Sequence, residues 1–365
     1  MDDRQLQDLK LPLPERLALN ACADVEAVKV LCKTVGRGQC AVSIAERLPE
    51  TDVTCHFLDV YPANDSIELT RSLKNLNVIC SPDLPREEID LFVLPVNRGG
   101  EAELTRDWLQ QGYELLVPGG LLIATVDNPK DVWLHHEIEK FGRNLNRTPK
   151  RQGVVYRMKK VKPLKKMRDL SCQITFRDGE TLVQAATRPG VFSHRRLDVG
   201  ARALLEGMSI KPGNRVLEIG CGCGAVGLAA ALREERVSVH AIDSNARAVQ
   251  CAQVGADLNG ITLFTAALTA DGDLSFNGED LSGTFDVAVG NPPYFSHHQI
   301  AEIFLQAARR GLRVGGKVYM VTKYGEWLIA RMQQLFTNVQ SQEIRGYTVA
   351  SGIADGKFVS PPVPE

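Results

Sequence analysis

The 365 residues are short of almost everything that would place them in a membrane, outside a cell or around a metal. No apolar run approaches the ~20 residues that a bilayer-spanning helix needs. The start, Met1-Asp2-Asp3-Arg4, is acidic and polar, so it lacks the basic segment and apolar core of a secretory signal. A cytoplasmic location without a membrane partner is therefore expected. The nine cysteines are an odd number, and no two stand in a Cys-x-x-Cys pair, so the common zinc and dithiol spacings are missing and no metal is expected. Cys221 and Cys223 form the only close pair; they sit inside a glycine loop and read as small side chains in a reducing compartment. An excess of charge is missing too. Lys and Arg number 43 against 44 Asp and Glu, a net −1 that favours no class of partner. The oligomeric state is open, with a monomer as the working expectation.

The charge is unevenly spread, however. Eleven Lys and Arg and no Asp or Glu lie between Arg143 and Arg168. Such a run is either a solvated linker face or a footprint for nucleic-acid phosphates, and the sequence leaves the two level.

The stronger signal is self-similarity. Segments 89–97 and 285–293 each carry an Asp, a short apolar run and a Pro/Asn turn. Helical patterns follow at 102–116 and 300–312, then a glycine pair and a strand. Asp90 to Gly119 and Asp286 to Gly315 are both 29 residues apart. Upstream, 30–38 parallels 216–224, and His56 to Asp59 parallels His240 to Asp243. Strands alternating with helices in both halves predict two tandem α/β domains, each a doubly wound parallel sheet. The first copy is degenerate: Cys32 stands where the second has Glu218, Thr34 where it has Gly220, and Pro95-Val96-Asn97 where it has Asn291-Pro292-Pro293. The expected domains are 1–165, structural or RNA-positioning, and 170–365, catalytic. Residues 159–169 read as a linker. A hairpin turning at Arg177-Asp178-Gly179 follows, then a helix over 197–208.

In the second copy the apolar strand 215–219 runs into Gly220-Cys221-Gly222-Cys223-Gly224 and a helix. Glycines there let a nucleotide approach the backbone, and the helix start offers free N–H groups. The third glycine falls one place early for a dinucleotide fingerprint. Glu218, just before the turn, suits the amino-acid portion of S-adenosylmethionine. Asp243 ends the next strand about 20 residues on, where a carboxylate binds ribose hydroxyls. It could instead cap the following helix, although Ser244 could do that.

The strand at 285–289 leads into Asn291-Pro292-Pro293-Tyr294. Two prolines fix the backbone direction and remove two donors. The Asn291 side-chain oxygen and the Pro292 carbonyl can then both accept from one planar NH2 group, and Tyr294 offers a face for stacking. His297 and His298 read as the start of the next helix, and the Pro-rich end at 359–365 as a disordered tail.

Val-Leu-Glu-Ile-Gly-Cys-Gly-Cys-Gly at 216–224 together with Asn-Pro-Pro-Tyr at 291–294 resembles the class I methyltransferases of exocyclic or amide nitrogen. Pro189-Gly190-Val191-Phe192-Ser193 and Leu197-Asp198-Val199-Gly200-Ala201-Arg202 narrow the resemblance to the bacterial ribosomal RNA small subunit methyltransferase C and large subunit methyltransferase G type. That resemblance implies S-adenosylmethionine as cofactor, ribosomal RNA or a ribosomal subunit as partner, and N2-methylguanosine as product. It implies cofactor contacts from Glu218, Gly220, Cys221, Gly222, Gly224, Asp243 and Ser244, with Asp198 and Phe192 nearby, and Asn291, Pro292 and Tyr294 around the target base. The chain departs from the family in two places. Tyr294 stands where Phe is usual, as in adenine-N6 and protein-glutamine methyltransferases. Residues 263–268 hold no carboxylate for the adenine amino group, which leaves backbone near Ala266 and Ala267. The alternatives are those two acceptor types and a non-catalytic RNA-binding protein.

Overall fold

A computed structural model describes residues 11–293 and 298–356. Tyr294, His297 and the Pro-rich end at 359–365 lie outside the described residues. The chain divides into two compact units, Met1–Leu170 and Ser171–Glu365. Among the described residues no helix is long and apolar enough to cross a membrane, and no cluster of three His, Cys, Asp or Glu could hold a metal ion.

Unit one opens with α1 (Leu13–Cys22). Pro12 precedes it and Pro14 lies in its first turn, where a fixed φ suits the helix and no N–H is missed; Glu15 belongs to the same turn. Then come β1 (Lys29–Lys33), α2 (Gln39–Arg47), β2 (Asp52–Phe57), α3 (Val60–Leu69), β3 (Leu76–Cys80), β4 (Ile89–Val96), α4 (Ala102–Leu115), β5 (Leu116–Val126), α5 (Trp133–Glu139), β6 (Leu145–Lys150) and β7 (Gly153–Lys159). The sheet order is β3-β2-β1-β4-β5-β7-β6.

Unit two starts with the hairpin β8 (Cys172–Asp178) and β9 (Thr181–Thr187), followed by α6 (Val199–Gly207). Its sheet strands are β10 (Arg215–Ile219), β11 (Ser238–Asp243), β12 (Phe264–Leu268), β15 (Phe285–Gly290), β16 (Leu312–Thr322), β17 (Thr337–Ile344) and β18 (Tyr347–Ile353), with a small hairpin, β13 (Ser275–Phe276) and β14 (Glu279–Asp280), on the way. Helices α7 (Ala225–Arg233), α8 (Ala246–Leu258), α9 (Gln299–Gly311) and α10 (Gly325–Leu335) connect them. The order β12-β11-β10-β15-β16-β18-β17 repeats that of unit one strand for strand.

In both units the first five sheet strands are parallel and the last two pairings antiparallel, so that β7 and β18 alone run against the other strands of their sheets. Apolar clusters cover both faces of each sheet, as parallel strands require. The strand order reverses beside the first strand of each sheet. That is the point where an open α/β sheet leaves a crevice, and each glycine loop lies there.

Strand register corrects one expected equivalence. Cys32 faces Cys55 across β1 and β2, and Glu218 faces Ala241 across β10 and β11. His56 therefore corresponds to Ile242, not to His240, and Phe57 holds the place of Asp243. Asp59 corresponds to Asn245: each is the residue before a helix, accepting an N–H two residues on. The identical His-x-x-Asp spacing had suggested a frame two residues out.

The expected linker is also corrected. Residues 160–168 are not free chain but a strap laid on α4. Leu164 N donates to Glu114 Oε2 at 3.1 Å, and Gln110 holds both the N–H and the carbonyl of Arg168 at 2.9 and 2.7 Å.

Candidate active site

The strand β10 feeds a turn suited to glycine. Gly220, Gly222 and Gly224 have φ of 65°, 55° and 74°. A Cβ on Gly220 would stand 2.1 Å from the Phe304 ring, and one on Gly224 would stand 2.9 Å from Ala252 Cβ. At Gly222 nothing lies within 4 Å of that point. A cleft of about 500 Å³, its solvent-filled mouth included, begins there. Of the residues expected from the sequence, Phe192, Asp198, Glu218, Gly220, Cys221, Gly222 and Asn291 line it. Gly224, Asp243, Ser244, Ala267 and Pro292 are not among its lining residues, and Tyr294 lies outside the described residues. Gly224 instead serves close packing of the loop on α8.

Glu218 is 4% exposed, and its Oε2 has no hydrogen-bond partner. Burial pushes its carboxyl up to about 8; the N–H groups of Gly227 and Val226 at the start of α7 pull the other way, and the Asp243 charge adds to the rise. Gly227 makes room for this carboxylate, since a Cβ there would lie 2.4 Å from Oε2. An unpartnered buried carboxylate oxygen on the wall of an open cleft calls for a donor from a ligand. That, and the space beside Gly222, fit the ammonium-bearing end of S-adenosylmethionine.

Asp243 fastens the loop from the side. Its Oδ2 accepts from Gly222 N at 2.8 Å and its Oδ1 from Asn245 N at 2.9 Å. The cap of α8 is neither Asp243 nor Ser244 but Asn245, whose side-chain oxygen accepts from Arg247 N and Ala248 N. A short Asx turn thus spares Asp243 from capping.

Asn291 follows β15 directly. Its Nδ2 donates to Asp198 Oδ2 at 2.9 Å. The same carboxylate oxygen caps α6 by accepting from Ala201 N at 3.0 Å. A carboxylate only accepts, so the amide nitrogen must face Asp198, and this fixes the direction of Asn291 Oδ1. Asp198, expected near the cofactor, therefore also orients the loop after β15, although 93 residues separate it from Asn291.

The segment before α6 is pinned from below. Arg247, fully buried, donates to the Pro189 carbonyl at 2.8 Å, and Asn245 Nδ2 donates to the Gly190 carbonyl at 2.7 Å. The backbone then passes through positive φ at Gly190, Ser193 and Arg195. This carries Phe192, 62% exposed, to the cleft wall. The sequence reading missed Arg196 and Ala201 in the lining and Asn245 and Arg247 beneath it. A polar pair opening a helix that must sit against a Pro-Gly turn was the available signal.

The first copy is built differently at the same place. Glu15, on α1 and 0% exposed, fills the turn. Its Oε2 accepts from Thr34 Oγ1 at 3.0 Å and Val35 N at 3.2 Å, and its Oε1 accepts from Cys40 N at 3.1 Å. Thr34 Oγ1 in turn accepts from Gly36 N and Gly38 N. Burial raises the Glu15 pKa, and the donors from Cys40, Val35 and Thr34 oppose the rise.

Strand order, glycine loop and buried acidic residue together define a class I methyltransferase fold, and the C-terminal unit has that fold. Residues 183–351 match the methyltransferase small domain family. The ribosomal RNA small subunit methyltransferase C of Hahella chejuensis is 32% identical over 158 residues, 41% of this chain and 44% of that protein. The ribosomal RNA large subunit methyltransferase G of Streptomyces avermitilis is 32% identical over 180 residues, 47% of this chain and 42% of that protein. The matches thus span less than half the length of these curated relatives. Over nearly the whole chain, the fold is similar to that of the T. thermophilus 16S rRNA N2 G1207 methyltransferase solved with AdoMet and guanosine. The TM-score is 0.76 at 19% identity, covering 93% of this chain and 92% of that one.

Proposed function

We propose that this chain transfers a methyl group from S-adenosylmethionine to guanine N2 in ribosomal RNA. The observation that carries the reading is the coupling of Asn291 to Asp198 on the wall of the cleft that also holds Glu218 and Gly222. Cofactor loop and acceptor loop share one cavity, and one carboxylate fixes the acceptor amide. The relatives named as ribosomal RNA methyltransferases support RNA as the substrate, and the likeness in fold to the 16S rRNA N2 G1207 methyltransferase supports guanine over adenine or glutamine.

When bound, the cofactor supplies an electrophilic methyl. Glu218 would take its ammonium, and Asp243 would face its ribose. Asn291 Oδ1 and the Pro292 carbonyl would accept the two hydrogens of the guanine exocyclic amine, placing its nitrogen and enriching it in electron density. The proton leaves to water after the new C–N bond forms, so no strong base is needed. The first unit would hold RNA or support the fold without catalysis.

The test is incubation with ribosomal RNA or whole subunits and methyl-labelled cofactor, followed by nucleoside analysis. Label in N2-methylguanosine is the expected result. Label in N6-methyladenosine, or in protein glutamine, would replace the acceptor; no incorporation and no cofactor binding would favour a non-catalytic RNA-binding protein.

A further inference from the structure

The eleven cations from Arg143 to Arg168 occupy two adjoining structures of unit one: the hairpin of β6 and β7 at the sheet edge, and the strap 160–168 that follows it. The strap's backbone is committed inward. Besides the bonds to Glu114 and Gln110, the Lys162 carbonyl accepts from Tyr113 Oη at 3.4 Å. What remains outward is side chain: Lys150, Arg151, Lys159, Lys162, Lys165 and Lys166 are all exposed. Among the described residues only Arg157 of the eleven forms an ion pair, with Asp24 at 3.0 Å.

The second unit is an internal control for what the fold requires. Its edge hairpin, β17 with β18, has the same place in the same sheet order. Between 337 and 353 it holds one cation, Arg345, and that one is paired with Glu206 at 2.8 Å. The architecture therefore does not call for cations here. Unpaired positive charge at this density repels itself unless a polyanion covers it, and it stands out from the rest of the chain, where 32 Lys and Arg face 44 Asp and Glu.

We propose that the β6–β7 edge and the strap form a phosphate-backbone binding face, and that ribosomal RNA is the polyanion it holds. The inference rests on ribosomal RNA being the substrate. The edge strand runs for roughly 20 Å, at ~3.3 Å per residue, with cations at both its ends and along the strap. An extended row of this kind follows a nucleic-acid backbone, whereas a membrane surface is met by an amphipathic helix with a continuous apolar face, and this segment has no helix.

The experiment uses the full chain and transcribed ribosomal RNA. Filter binding over a series of KCl concentrations compares wild type, the variant K150E/R151E/K165E/K166E, and a control of equal charge change on other exposed cations, K74E/R86E/K211E/R236E. The edge variant is expected to bind about tenfold or more weakly near 0.15 M salt, and its slope of log affinity against log salt to flatten by about 3, from 0.7–0.9 per cation. The control keeps the wild-type slope within about 1. In turnover, KM for RNA rises about tenfold while kcat at saturation and cofactor affinity by calorimetry stay within about twofold. Unchanged RNA affinity and slope in a folded edge variant overturn the proposal. So does tight wild-type binding to phosphatidylglycerol vesicles that the edge variant loses while it keeps RNA. If wild type methylates no RNA yet shows the edge-dependent binding, the proposed reaction fails and the binding face stands; if methylation proceeds with the same KM in both, the face fails and the reaction stands.

Discussion

Both units bring a buried carboxylate to the start of the helix after the glycine loop, but from opposite sides. In unit two it is Glu218 on the strand, and Ala201 on the preceding helix leaves the cleft open. In unit one it is Glu15 on the helix, and Cys32 on the strand is small. Glu15 to Cys32 and Ala201 to Glu218 are each 17 residues apart, so the two positions have exchanged roles. Glu15 accepts from Cys40 N, and Glu218 lies by Val226 N, the second residue of the equivalent helix. The contrast separates what the fold needs from what the chemistry needs. The helix start keeps a carboxyl group in both units. Only in unit two is that carboxyl placed so that a cavity remains beside it.

The sharpest way to break this contrast is to remove Asn291. Asn291→Ala should lower methyl transfer by about a thousandfold, the size of effect seen when a preorganised polar contact to the reacting group is lost. Cofactor affinity by calorimetry should change by less than about threefold. Loss of both would mean that Asn291 belongs to the cofactor site.

The next effect is on stability. Gly220→Thr puts the residue of the first copy into the second, against the Phe304 ring and at positive φ. It should destabilise unit two by about 3 kcal/mol in chemical denaturation. A variant as stable as wild type would show that the loop can be rebuilt around threonine without a partner such as Glu15.

A smaller effect tests the exchange itself. Glu15→Ala should cost about 2 kcal/mol, since it strands the buried Cys40 N–H and its neighbours. Adding Cys32→Glu should not restore stability, because Ala41 stands where Gly227 makes room. The triple variant E15A/C32E/A41G should recover part of the loss. If the double variant recovers as much as the triple, the space beside Gly227 does not matter.

The smallest effect is in pH dependence. Glu218 is raised from 4.5 to about 8 in the folded chain. Between those values the folded state keeps a proton that the unfolded state has released, so the stability of unit two falls as pH rises through the window. Glu218→Gln should flatten that fall. Pairing with the cofactor ammonium would ionise Glu218, so wild type should release a proton on binding near neutral pH, read from the dependence of binding heat on buffer ionisation. Equal release by Glu218→Gln would remove Glu218 from the cofactor contact.

Much of this architecture was legible in the residues. Alternating apolar periods gave strands and helices, and the equal spacing from Asp90 to Gly119 and from Asp286 to Gly315 gave the duplication. The glycine loop and Asn291 were found because their chemistry is local: adjacent residues carry it. What stayed hidden was long range. Asp198 reaches Asn291 only when α6 packs on the sheet against β16 and brings its N-terminus to the loop after β15, and the Glu15 plug appears only when α1 folds over the first glycine loop. Pairing unit one on the repeated His-x-x-Asp went astray because two matching letters weighed more than the strand register, which no local pattern displays. The basic stretch looked like a linker because its composition is polar, while the contacts that pin it come from α4, some fifty residues earlier.

The Glu15 plug has a consequence in linkage. A side chain tethered to the loop behaves as a ligand that cannot be diluted, so the first unit is saturated at every concentration of free nucleotide. Its melting should not move when S-adenosylmethionine is added, while that of the second unit should rise with the logarithm of cofactor above its dissociation constant. The chain would titrate with one equivalent. Half of it keeps a constant stability whatever the cell's methyl-donor supply, and the other half registers that supply.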